Sequence, residues 1–284
     1  MNHSVRRVIA VTAAALFTWT SLQAQDAGTW AFTAELTAVW TGGNAASNAF
    51  GAEARLTRTG ATSTVKLEGG AIRAQSTKTT RTAVGTPSDF TVSESQVSEK
   101  TAGAFFARGR YDHDFSARVF AFSGVDWLRN QFAGIDSRLL IAAGVGATII
   151  DNDRTALKAD ASGTYTFQED VVANPFVKTN FPGVRAGFDF SAKVAGNTTL
   201  TSAAVADLNL DRSDDIRIDL TNAVQVAINS SLALKPSLQL LWRNAPSLTE
   251  VALFDNAGTP TGETVSVPLD KLDSLFKLAL VVKF

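Results

Sequence analysis

Apolar and polar positions alternate along most of this chain. Trp30, Phe32, Ala34, Leu36, Ala38 and Trp40 share one side of an extended segment, while Thr29, Thr33, Glu35, Thr37 and Thr41 share the other. A period of two marks a strand with one apolar face, and the longer period of an amphipathic helix is almost absent. Stretches of the same kind recur at 50–58, 65–73, 100–111, 117–127, 135–149, 157–167, 184–194, 200–210, 216–228, 232–242 and 272–284. With 30–40, they predict twelve strands and an all-β chain.

The connections indicate how these strands are joined. Thr59-Gly60-Ala61-Thr62, Asp112-His113-Asp114, Asp151-Asn152-Asp153, Ala195-Gly196-Asn197 and Asn229-Ser230-Ser231 are short and built from turn-forming residues. Each joins an even strand to the next odd one. The odd-to-even connections include the long segments 74–99, 168–183 and 243–271. Short turns on one rim and long loops on the other are expected of an antiparallel up-and-down barrel of the outer-membrane type.

Alternation alone does not say which face is inside; size does. Twelve tilted strands enclose a backbone radius of about 12 Å. The apolar face is mostly Ala, Leu, Val and Ile, too small to fill that lumen, so it is expected to face lipid. Arg58 and Arg73 are exceptions on it, near strand ends where their heads would snorkel out. Trp30 and Trp40 are separated by about 25 Å along the membrane normal, the height of an apolar band. Trp40, Trp127 and Trp242 fall at the long-loop rim, with Trp30 and Phe284 at the short-turn rim. They read as two aromatic membrane-interface girdles.

Composition narrows the class further. The chain of 284 residues has net charge −1, which leaves no footprint for nucleic acid. It has no cysteine, so disulfides, zinc-thiolate sites and thiol nucleophiles are excluded. Arg6 and Arg7, an apolar stretch at 8–22 and then Gln23-Ala24-Gln25 read as an N-terminal signal peptide over 1–24, cleaved after Ala24, with the barrel at 25–284.

At the other end, Phe276-Lys277-Leu278-Ala279-Leu280-Val281-Val282-Lys283-Phe284 alternates and stops on an aromatic. It resembles the C-terminal insertion signal of bacterial outer-membrane barrels. Asp126-Trp127 and Asn130-Gln131-Phe132-Ala133-Gly134-Ile135-Asp136-Ser137-Arg138 lead on to Gly144-Val145-Gly146, Gly163-Thr164-Tyr165 and Glu169. Together with Trp40-Thr41-Gly42-Gly43-Asn44, they resemble the salt-induced outer-membrane proteins, a bacterial domain family of unknown function. The resemblance implies outer-membrane localisation and a barrel, but no reaction. Its salt label concerns induction, not mechanism.

Four places in the chain carry residues suited to chemistry. His113 is the one histidine of the mature chain, flanked by two aspartates, and a Ser-His-Asp hydrolase would have to use it; a solvated turn residue is the plainer reading. Asp207-Leu208-Asn209-Leu210-Asp211 mimics the start of a calcium loop, but Arg212 stands where its glycine belongs and Ile218 where its closing acid belongs. The leucines place these acids on a lumen-facing strand instead. Gly144 and Gly146, in mid-strand, are expected to make room for Phe120 or Phe122.

The fourth place is the lumen. Inward positions comprise Glu35, Glu53, Arg55, Lys66, Glu68, Arg108, Arg110, Arg118, Asp126, Asp136, Arg138, Lys158, Asp160, Arg185, Asp189, Lys193, Arg217, Asp219 and Lys235. Mixed signs at short spacing favour a salt-bridged interior over the one-sign ring of a selective pore. Glu35, Arg108, Arg110, Asp126, Asp136, Arg138 and Asp160 are the candidate constriction residues.

The expectation is therefore a non-enzymatic outer-membrane barrel of structural role, without cofactor or metal; the alternative is a narrow channel for ions or small solutes. Its partners would be outer-membrane lipid and lipopolysaccharide, with periplasmic chaperones and the barrel-insertion machinery during biogenesis. An outer-membrane hydrolase acting through His113 is a third and weaker expectation, and a soluble periplasmic β protein is the rival on fold.

Overall fold

Among the described residues fourteen strands follow one another, and twelve of them close into a barrel. The structure is a computed structural model that describes residues 28–41, 45–86, 89–174, 177–254, 260–269 and 271–284. The expected signal segment and its cleavage site lie outside the described residues. In chain order the strands are β1 (Thr29–Thr41), β2 (Ala45–Thr59), β3 (Ser63–Thr86), β4 (Asp89–Asp114), β5 (Val119–Asn130), β6 (Ile135–Asp151) and β7 (Thr155–Asp170). Then come β8 (Asn180–Ala195), β9 (Thr198–Asn209), β10 (Ile216–Ala227), β11 (Leu232–Arg243), β12 (Leu248–Phe254), β13 (Pro260–Pro268) and β14 (Leu272–Lys283).

Neighbours in sequence pair antiparallel from β1 to β11, β11 pairs with β14, and β14 closes on β1 with Thr33 opposite Lys283 and Thr37 opposite Ala279. Closure leaves no free edge, so the barrel ladder pairs its own backbone groups, as a wall in hydrocarbon requires. The Phe284 N–H completes the seam by donating to the Phe32 carbonyl at 3.0 Å.

Short polar turns line one rim for a local reason. The Asn152 side-chain oxygen accepts from the N–H groups of Arg154 and Thr155, and Asn229 does the same for Ser231 and Leu232. Each asparagine thus replaces the backbone acceptor that a tight reversal removes. The β4–β5 turn is displaced from the expected site. β4 runs on to Asp114, and residues 115–118 make the reversal, with Ser116 Oγ accepting from Arg118 and Val119. Arg118, expected in the lumen, belongs to this turn.

Exposure alternates along the barrel strands and settles their orientation. On β14, Phe276, Leu278 and Leu280 are 61%, 44% and 39% exposed, whereas Ala279 and Val281 are 2% and 1%. Leu36, Phe50, Leu67, Ile141 and Val145 are exposed on the same outer face. A water-soluble barrel would bury these side chains and expose the ionic ones, so the outer wall is an apolar band.

Inside, a small aromatic cluster (Phe120, Phe122, Leu140 and Ala142) packs against glycines. The Phe120 ring occupies the place a side chain at Gly146 would take, as expected. Phe106 lies over Gly70 in the same way, its Cε1 2.6 Å from where a Cβ would stand. Gly144 has a different reason. A Cβ there would strike the Ala161 carbonyl of β7, so β7 needs the space, not Phe122.

Two of the three long connections carry β-structure. β3 and β4 stay paired from Ala74 opposite Ala102 to Thr86 opposite Asp89, with a bulge between Ala74 and Gln75. The expected loop 74–99 is therefore a two-stranded ribbon, about 40 Å long at 3.3 Å per residue. Within the expected loop 243–271, β12 and β13 form a separate hairpin sheet.

β6 also departs from the expected alternation. Ile135 pairs with Asp170 but Ser137 pairs with Glu169, so Asp136 is an extra residue in a bulge. Ile135 takes the inner face, 4% exposed, and Asp136 turns outward to Arg129 at 2.9 Å. Asp136 is therefore not a lumen residue. One inserted residue reverses side-chain parity, which alternation cannot register in advance.

Candidate functional site

The inner face of the barrel carries ion pairs, and several of them cross the lumen. Arg185 on β8 donates from Nε and Nη2 to both oxygens of Asp207 at 2.7 and 3.1 Å, and from Nη1 to Asp126 at 2.6 Å. Asp207 is on the neighbouring β9, but Asp126 is on β5, with β6 and β7 in between. The second bond therefore spans the interior instead of following the wall. Arg110 on β4 repeats the arrangement, with Asp112 at 2.6 Å on its own strand and Asp160 of β7 at 2.8 Å. Its guanidinium lies over the Phe122 ring, 3.8 Å from the centroid, so the aromatic cluster supports the crossing arginine from below.

The other expected constriction residues take separate places. Glu35 accepts from Lys235 at 2.7 and 3.0 Å across the intervening β14. Arg108 lies over the Phe106 ring at 4.9 Å and approaches Glu68 at 4.0 Å, while Glu68 also holds Arg55 at 2.6 Å. Arg138 lies on the inner face of β6 opposite Gln168, and its guanidinium donates no hydrogen bond among the described residues. Arg110, Asp160, Asp126 and Arg185 line one mid-lumen cavity of about 110 Å³.

Toward the long-loop rim the pairing is denser. Asp215, in the turn after β9, is 1% exposed. It accepts from Arg217 Nη2 at 2.6 Å, Arg243 Nε at 3.2 Å and Asn209 at 3.3 Å. Burial opposes its charge, but Arg217 and Arg243 outweigh that and hold the carboxyl below its ordinary value. Arg217 also donates to Gln168 at 3.0 Å and lies over Phe181 at 5.2 Å.

Above this cluster the chain folds inward. Arg243 donates to Ser247 Oγ at 2.8 Å, and Leu269 N–H donates to the Ser247 carbonyl at 2.9 Å. Ser247 and Leu269, paired at the base of the β12–β13 hairpin, both press on Gly134. A Cβ on Gly134 would stand 2.8 Å from Ser247 Cβ and 2.9 Å from Leu269 Cδ1, and its φ of +68° is unsuited to other residues. Gly134 joins β5 to β6, and the hairpin follows β11, so the two meet across the mouth.

Asp215, Gln168 and Ser247 were not among the expected site residues. Asp215 and Ser247 lie in connections, where no periodicity points at them.

On the outside, Trp30 is 58% exposed and Phe284 78%, with Phe284 beside Phe32 at 5.5 Å. Trp127 faces outward and donates to Ser137 Oγ at 3.3 Å. Trp242 shares the outer face with Ile218 and Leu272. The side chain of Trp40 lies outside the described residues. Arg58 bends toward the short-turn rim, its Cζ 3.1 Å from where a Cβ on Gly28 would stand.

His113 is exposed on the outer face near the end of β4, its ring edge-on to Phe115 at 5.3 Å. Asp207 is taken by Arg185, and Asp211 by Lys178 at 3.1 Å. Among the described residues no cluster of histidine and carboxylate has the makings of a metal site.

A family profile described as "Protein of unknown function, DUF481" matches residues 34–251. The chain belongs to that family. The resemblance read from residues 126–169 is thereby borne out, and the DUF481 match extends over most of the barrel. No curated protein sequence matches this DUF481 chain. Solved structures similar to it in fold include the NanC porin, 6% identical, covering 89% of this chain and 100% of that one, with a TM-score of 0.47. An outer-membrane channel from Pseudomonas putida F1 is 11% identical, covers 92% and 97%, and has a TM-score of 0.45. An anion-selective porin from Comamonas acidovorans is 10% identical, covers 92% and 100%, and has a TM-score of 0.40.

Proposed function

We propose that this protein is an integral outer-membrane barrel whose lumen is held closed by ion pairs, a structural element of the envelope and not an enzyme or an open porin. The observation that carries this is Arg185, which ties β5, β8 and β9 together through the interior. Arg110 with Asp160, and the inward fold at Ser247 and Leu269, support the same reading. Each occupies space that a diffusion pore would keep open. The apolar outer wall and the segment at 1–24 read as an export signal support outer-membrane localisation. The girdle residues Trp30, Trp127, Trp242 and Phe284 would then rest at the lipid–water boundary, with lipopolysaccharide around the long-loop rim. Periplasmic chaperones and the insertion machinery are the partners this route requires.

Planar-bilayer recording of the purified barrel tests the reading. A bilayer that incorporates protein without discrete conductance steps fits it; reproducible steps overturn it. A second reading, a narrow channel for ions or small solutes, is favoured by the mid-lumen cavity, which would be one station on a path. The same recording separates the two.

A further inference from the structure

Most arginines of the inner wall are committed to carboxylates: Arg55 to Glu68, Arg110 to Asp112 and Asp160, Arg185 to Asp126 and Asp207, Arg217 and Arg243 to Asp215. Arg138 is not. It is enclosed by the barrel, yet part of its surface still reaches lumen water. Arg217 reaches in from β10 to Gln168, the residue opposite Arg138, so a second guanidinium lies close by; Arg217, Arg185 and Arg243 oppose the Arg138 charge and Asp207 favours it. Asp207 already has both oxygens on Arg185. Gln168, the residue opposite Arg138 on β7, gives its carbonyl to Arg217 and its amide to Asp170 at 2.6 Å. Nothing among the described residues thus answers the Arg138 fork.

An enclosed guanidinium with no carboxylate hydrogen-bonded to it is costly, and more so beside other cations. A barrel lumen offers a remedy that a dry core does not, because a solute can supply the missing charge. We infer that Arg138, backed by Arg217 and Arg243 beneath the Gly134–Ser247 contact, forms a binding site for a small oxyanion. The planar fork of Arg138 suits two oxygens of a carboxylate, sulfate or phosphate. Arg217 and Arg243 each keep N–H groups that their bonds to Asp215, Gln168 and Ser247 do not use. The site goes beyond the structural reading and does not depend on conduction, since an anion can be held in a closed lumen.

Calorimetric titration of the folded barrel in neutral detergent, with sulfate, phosphate or acetate at constant ionic strength set by chloride, tests this. Saturable binding of at least one of the three is expected; acetate alone would mark a carboxylate site, and sulfate or phosphate a tetrahedral one. Arg138→Gln should weaken that binding about ten-fold to a hundred-fold, the effect of losing a charge-assisted hydrogen-bond pair. Should Arg138→Gln fail to fold, Arg138→Lys, which keeps the charge but loses the fork, should bind several-fold more weakly. Absence of saturable binding to the wild type, or unchanged affinity in the folded variant, overturns the site. Failure here with a silent bilayer leaves the closed barrel standing; conductance with intact anion binding does the reverse.

Discussion

Replacing Arg185 by Met removes a side chain that joins β5, β8 and β9 through the lumen. Three charge-assisted hydrogen bonds are lost, and Asp126 and Asp207 are left inside the barrel without their common cation. Breaking a buried pair costs about 3–5 kcal/mol. Here the side chains of Arg185, Asp126 and Asp207 keep 15%, 31% and 18% of their exposure, so lumen water screens part of the loss. A destabilisation of about 2–3 kcal/mol follows. Urea unfolding of the barrel in lipid vesicles, followed by tryptophan fluorescence, reads this directly. The triple variant Asp126→Leu/Arg185→Met/Asp207→Leu should recover most of the loss, because no charge is then orphaned. An Arg185→Met variant within about 0.5 kcal/mol of the wild type, the range of neutral surface changes, would refute the reasoning.

Gly134→Ala forces a side chain into φ +68° and against Ser247 and Leu269, so it should cost about 1–3 kcal/mol and open the mouth, measured as faster proteolysis of the β12–β13 hairpin. Asp215 is held below its ordinary value, so the stability it contributes is present above the usual carboxylate pKa and is lost as pH falls through its folded value. The urea midpoint should therefore drop on acidification below about pH 4, and Asp215→Asn should remove that part of the slope. Gly146→Ala collides with the Phe120 ring and should cost about 1–3 kcal/mol in the same unfolding assay.

The barrel was legible because lipid and lumen impose opposite demands on alternate residues, and a strand answers both. Phe276 to Phe284 carries the whole argument in nine positions. The ribbon of β3 and β4 was not legible, since the sequence of 74–99 is mostly polar and sustains no period of two. The lumen was readable as a set of charges, but not as pairs. Register fixes neighbours such as Arg185 and Asp207, whereas Asp126 meets Arg185 only because the barrel closes. Asp136 faces outward because it sits in a bulge just after the Gly134 turn, and neither feature has a signature in alternation. Asp215 gathers two arginines from β10 and β11 although it lies in a connection that periodicity does not reach.

The central claim is that the apolar side of each strand meets hydrocarbon while the ionic side is enclosed. The chain has no cysteine, so a spin label can be placed at each position from 276 to 282 through single cysteine substitutions in vesicle-inserted barrel. Collision with dissolved oxygen should peak at 276, 278, 280 and 282 and fall at 277, 279 and 281, following the exposures of Leu278, Leu280, Ala279 and Val281. A flat profile, or one with its peaks at the odd positions, would contradict the account.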